Sequence, residues 1–222
     1  MRISLRWSAG LATAAAILMI GAGIDLWGPR SHDLRAFEPV KVARLETAMW
    51  RSYYDRDRIK LFGELAALLR TQYGLPPLRS LVTAYRAAHA ATVFQRGRGR
   101  TDYQRALPDL ERFYKSIGAV SVQPLDAVRA ARLELEWWII HRERATHPPE
   151  DLPRALAALQ AELYHEPPDA FVEHAQERAA AMLVRDSAAE GGRPTEAQWE
   201  TIGRLLERSW TLLWQTVQKQ TT

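Results

Sequence analysis

From Pro39 onward the apolar side chains of this chain recur at three- and four-residue spacing and nowhere alternate, a pattern that restricts it to packed helices. Val42, Leu45, Met49 and Tyr53 begin the run, and Leu61, Leu65, Leu68 and Leu69 carry it to Tyr73, as one long helix or two in tandem. Gly74, with Pro76 and Pro77 beyond it, reads as a stop and a start: glycine tolerates the left-handed C-cap and proline suits a first helical turn. Leu78, Leu81, Val82, Tyr85 and Ala88 mark the next helix, to about Phe94. Gln95 to Arg100 is a basic loop, and Thr101 with Gln104 has the form of a capping box opening a short helix that Pro108 interrupts. Pro124 opens a helix through Arg144 whose middle, Leu133 to Ile140, is apolar on almost every side, as expected of a central helix. A helix carrying Leu152, Leu156, Leu159 and Leu163 ends at Pro167 and Pro168, and another runs from about Asp169 to Asp186. After Gly191, Gly192 and Pro194, Thr195 and Gln198 form a second candidate capping box for a last helix through Val217. The expectation is an all-α fold: an irregular bundle of six or seven helices over residues 39–222, without strands or a fixed-period repeat.

The start of the chain carries a different signal. Arg2 and Arg6 precede an unbroken apolar or small-residue stretch from Ser8 to Ile24, followed by Asp25, Leu26 and Trp27. Residues 1–27 are expected to be a transmembrane signal anchor, meeting the membrane through residues 8–27, or a signal peptide with small residues at Gly21, Ala22 and Gly23 for cleavage. Positive charge before the segment and Asp25 after it place the N-terminus in the cytoplasm and the domain outside, in the periplasm or beyond the cell. Residues 28–38, with Pro29 near their start and Pro39 just past their end, read as a linker.

Composition removes several functions. The chain has no cysteine, which excludes disulfides, thiolate metal sites and a thiol nucleophile. Its net charge of +4 comes from arginines interleaved with Glu and Asp, so no basic stripe suited to nucleic acid forms. There is no phosphate-cradling glycine loop, no nucleophile elbow and no His-Glu-x-x-His. A di-iron carboxylate bundle needs two Glu-x-x-His pairs, and only Glu162 with His165 fits, at a helix end; a metal carrier would also need a ligand such as His174 nearby. Neither a metal nor a cofactor is expected.

The candidate site consists of polar residues on faces that otherwise read as buried. Glu46 shares a helical stripe with Met49, Trp50 and Tyr53, and Glu134 shares one with Trp138 and His141; Tyr85 and His89 complete the set. A carboxylate among aromatics must be paired, protonated or functional, because an isolated buried charge is costly. Arg51, Tyr85, His89 and Arg142 are the partners the sequence offers. Glu134 and Glu136 lie about 200° apart around a helix, so they cannot act as a paired acid and base.

Leu45 to Tyr54, Tyr73-Gly74-Leu75-Pro76-Pro77, Ala106 to Glu111 and Glu134-Leu135-Glu136-Trp137-Trp138 together resemble a bacterial family of helical, membrane-proximal proteins without assigned activity. That resemblance covers most of the chain and implies a short membrane-proximal N-terminus and a helical fold; it brings no substrate and no catalytic residue. The function expected is a membrane-anchored extracytoplasmic domain acting through a protein partner or a small ligand, recognisable by an exposed apolar or aromatic patch. The alternative is an enzyme or lipid-handling protein with a pocket lined by Glu46, Trp50, Tyr53, Tyr85, His89, Glu134, Trp138 and His141, which requires those side chains to converge.

Overall fold

A computed structural model describes residues 16–219, apart from the side chains of 189 and 190. Among them the protein is all-helical, with no strand beyond an isolated bridge. The first helix, α1, is described over residues 16–27. It is followed by α2 (Pro39–Tyr54), α3 (Arg58–Tyr73), α4 (Pro77–Arg96), α5 (Arg100–Tyr103), α6 (Leu107–Gly118), α7 (Ala127–Arg142), α8 (Asp151–Tyr164), α9 (Val172–Glu190) and α10 (Glu196–Gln218). This exceeds the six or seven expected because short breaks divide what periodicity joins.

The breaks have local causes. The run from Pro39 to Tyr73 is two helices, since Arg56 takes a positive φ and Asp57 then accepts a hydrogen bond from the Lys60 amide to start α3. Gly74 ends α3 at φ 64°, and Thr195 with Gln198 forms the expected capping box of α10. Thr101 is not a cap. It lies inside α5, and Asp102 accepts instead from the Arg98 amide. Pro108 does not interrupt a helix either, because it falls in the first turn of α6, where its missing N–H costs nothing.

Each long helix packs on its neighbour in sequence, and α10 returns against both α9 and α2, so α2, α3, α4, α6, α7, α8, α9 and α10 form a closed circuit. The helix expected to be central, α7, is one station on it: Ala130, Ala131, Leu135 and Ile139 face inward, while Glu136 reaches outward to Arg100. Val42, Leu69, Leu110, Ile117, Leu156, Phe171, Ile202, Leu206 and Leu213 are fully or almost fully buried and fill the interior.

The segment expected to be a linker is sewn to the bundle. His32 pairs with the turn after α6, its amide donating to Val120 O at 2.6 Å and its carbonyl accepting from Val122 N at 3.0 Å. Leu34 and Phe37 are buried, Arg35 donates to Tyr164 O, and Gln218 Nε2 donates to Arg35 O. At the head of this strap, α1 and α4 cap each other. The N-cap of α4 is Pro76, which has no side-chain acceptor; Asp25 Oδ2 supplies one, 2.6 Å from Leu78 N and 3.3 Å from Arg79 N. In return buried Arg79 donates from Nε to Leu26 O and from Nη2 to Gly28 O, each at 2.9 Å, satisfying carbonyls at the end of α1. Among the described residues no helix is long and apolar enough to cross a membrane; the first half of the expected apolar span, residues 8–15, lies outside them.

Candidate functional site: a buried charge network

Within the circuit a few polar side chains are set among the apolar ones. Arg178 of α9 meets Glu46 of α2, with Nη1 to Oε2 at 2.8 Å and Nη2 to Oε1 at 2.5 Å, and Trp210 Nε1 of α10 donates to Oε2 at 2.6 Å. The Arg178 guanidinium also lies 5.7 Å from the Trp210 ring centre. Glu134 of α7 feels the same guanidinium without bonding to it, and accepts instead from Tyr114 Oη of α6 and Trp138 Nε1, each at 2.8 Å. Two carboxylates thus share one cation. Burial pushes the Glu134 carboxyl up, with the Tyr114 and Trp138 bonds and the Arg178 charge opposing it. Burial also raises the Tyr73 and Tyr114 hydroxyls well above the phenol range, and the Glu134 charge adds to it. Arg178 is held cationic: burial works against its charge, and Glu46 more than offsets that.

One turn before Arg178, buried His174 sets its Nδ1 2.9 Å from Ser209 O, while Ser209 Oγ donates to His174 O at 3.0 Å. A carbonyl can only accept, so Nδ1 carries the proton. Burial pushes the imidazole pKa down to about 3, leaving the ring neutral.

The other expected site residues lie elsewhere. His141 Nε2 is 2.8 Å from Asp186 Oδ2, and Arg185 donates to Asp186 Oδ1 from Nε and Nη2 while covering the Trp50 ring at 4.8 Å. Burial alone would raise the Asp186 carboxyl; His141 and Arg185 outweigh it and hold it at about 2. On the outer face of α4, Tyr85 stacks on His89, whose Nδ1 is 2.6 Å from Asp109 Oδ2, with Arg86 on the other carboxylate oxygen at 3.0 Å. Asp109 is held below the usual carboxylate range, because the His89 and Arg86 bonds overcome its burial. Tyr53 is exposed and accepts from Gln95 Nε2 at 3.4 Å.

So Glu46, Glu134 and Trp138 come together, Trp50 and His141 belong to a second group, Tyr85 and His89 to a third, and Tyr53 to none. The partners the sequence offered for the carboxylates are used elsewhere. Arg51 pairs with Glu196, and Arg142 donates to Phe94 O and Gln95 O. Nor do the weak metal candidates meet: Glu162 pairs with Arg129, His165 lies against Pro124 O, and His174 is bonded to Ser209. A void of about 10 Å³ lies between the strap and Tyr164, and an open groove of about 380 Å³ follows α10 from Arg204 to Gln215; none of Glu46, Glu134 and Arg178 lines either. Sequence reasoning missed Arg178. The signal was a stripe of His174, Arg178 and Met182 at four-residue spacing beside the small residues Ala175, Ala179 and Ala181, which allow close helix approach.

Comparison with family models, curated proteins and solved structures finds no match to this chain, so the resemblance drawn from its motifs gains no support there.

Proposed function

We propose that this chain is a non-catalytic, membrane-tethered helical domain on the outer side of the membrane that works through its surface. The observation that carries the reading is α1. Ile17, Leu18, Met19 and Ile20 are consecutive, so they point to every side of one helical turn, and each is 64–73% exposed. An apolar turn that the domain covers on no side calls for a bilayer around it. The apolar sequence from Ser8 supplies the remaining length, Arg2 and Arg6 orient it, and exposed Trp27 suits the membrane interface. The division of the eight polar candidates among separate, internally paired groups speaks against a pocket enzyme.

The test is fractionation of the full chain, tagged at its C-terminus and expressed in a bacterium, with protease added to spheroplasts. Retention in the membrane pellet through an alkaline carbonate wash, with digestion of the domain from outside, is the expected result. Recovery of the intact chain in the soluble fraction overturns the tether, and protection of the domain in spheroplasts overturns its orientation. Native mass spectrometry of the detergent-purified chain addresses the pocket: a small molecule lost on Glu46→Gln would restore the enzyme or lipid-handling reading.

A further inference from the structure

Resting on the tether reading, we infer that the N-terminal half of α4 is a lipid-contacting surface that lies in the headgroup layer of the same membrane. Leu78, Leu81, Val82 and Tyr85 recur at i, i+3, i+4 and i+7 on one face of α4 and are 38%, 41%, 46% and 54% exposed, an apolar stripe that no described helix of the domain covers. From Pro77 to Tyr85 the one charged residue is Arg79, and it is buried under the end of α1. Farther along the same face, past exposed Ala88, the larger exposed residues are polar: His89, Thr92, Gln95 and Arg96. The helix is therefore apolar at one end and polar at the other.

The apolar end is where α1 is attached. Asp25 caps the Leu78 and Arg79 amides, and Arg79 caps the Leu26 and Gly28 carbonyls, so four hydrogen bonds in both directions fix the exit of α1 to the first turn of α4. This leaves no flexible spacer between a bilayer-embedded α1 and the stripe. From Leu78 to Tyr85 the stripe is about 10 Å long, two turns of helix beginning at the joint with α1. The joint also resolves the charges there: the Asp25 carboxylate is bonded to amides and the Arg79 guanidinium to carbonyls, so neither enters the interface unpaired. A lipid surface fits better than a second copy of the chain, because the stripe begins at the turn of α4 to which the exit of the apolar α1 is hydrogen-bonded.

The absence of native cysteine makes the test direct. Full-length Val82→Cys and Thr92→Cys are labelled with an environment-sensitive fluorophore and reconstituted in phosphatidylethanolamine–phosphatidylglycerol vesicles. Quenching is compared between a headgroup-level lipid quencher and aqueous iodide, with flotation read separately. The expected result is several-fold stronger lipid quenching at position 82 than at 92, the reverse order with iodide, and loss of the contrast on Arg79→Gln while the chain still floats and keeps its helical circular dichroism. A chain that floats with position 82 as open to iodide as position 92 overturns this inference and leaves the tether standing. Shielding from both quenchers, with thiol cross-linking of the unlabelled Val82→Cys chain to another copy of itself, overturns it in favour of self-association. A chain that does not float removes the tether, and this inference with it.

Discussion

Arg178 is the residue on which the interior depends most, because it neutralises Glu46 and its positive charge also acts on Glu134. Removing one member of a buried pair strands the other, at a cost of roughly 3–5 kcal/mol, whereas replacing both with apolar groups of like volume is far milder. Arg178→Met should therefore lower the urea midpoint sharply, and adding Glu46→Leu should restore a large part of the loss; equal and additive losses would mean the two do not act as a pair. His174 makes the pH dependence. Its folded pKa, about 3, lies below the unfolded value of roughly 6.5, so between those values the unfolded chain takes a proton that the folded chain refuses. Stability is then full above about 6.5 and falls as pH drops toward 3. The facing Arg178 charge acts in the same direction. Asp186, held at about 2, adds a loss confined to more acidic pH, below the ordinary carboxylate value. Glu134, raised, contributes with the opposite sign, favouring the fold at acid pH. His174→Gln keeps an amide donor for Ser209 O without titrating, so the fall in urea midpoint from pH 7.5 to 4.5 should be smaller in the variant than in the parent. The carboxylates themselves were legible, since Glu46 and Glu134 stand among aromatics at helical spacing; their cation was not, because α9 has low aromatic content and nothing in its local sequence says which helix it faces.

The elements were readable where a single residue decides the backbone. Gly74, the prolines opening α4 and α6, and the Thr195 and Gln198 box each act within one turn, so their signals survive in the sequence even where, as with Pro108, the expected consequence differs. The strap was not readable, because Leu34, Arg35 and Phe37 are anchored by α8, α10 and the turn after α6, and local composition there is that of a linker. Gly74 ties the two kinds of information together. It sits at φ 64°, and a Cβ there would come within 2.5 Å of the His32 ring, so the residue that ends α3 also makes room for the strap. Gly74→Ala should cost about 1 kcal/mol from the positive φ alone, with a further loss from displacing His32. His32→Ala in the same chain should remove that second part, leaving the first; a double mutant no better than Gly74→Ala would show that the strap does not feel the methyl group. Thr195→Ala should cost about 1 kcal/mol, as loss of an N-cap usually does, read as a shift in thermal midpoint.

At the scale of the whole molecule the helix type was legible and the circuit was not, for a physical reason. Periodicity gives the width and direction of each apolar face, whereas the return of α10 onto α2 joins residues as far apart in sequence as Glu46 and Trp210, which no window of sequence contains. The apolar middle of α7, Leu133 to Ile140, looked central for the same reason: in a closed circuit a helix with neighbours on two sides and the interior on a third is exposed on one side only, as α7 is at Val128, Arg129 and Arg132. Closure has a mechanical consequence. With α10 packed on both α9 and α2, no seam divides the circuit, and a loss in its last helix is felt by its first. Leu206 in α10 is completely buried, and Leu206→Ala should cost roughly 2–5 kcal/mol. In native-state hydrogen exchange that loss should appear at the slowest amides of α2 and α3 as well as of α9 and α10, in proportion to the fall in global stability. If α2 and α3 keep their protection while α9 and α10 lose it, the circuit is two cooperative units joined at the Glu46 and Trp210 contact, and the central charge network is their interface.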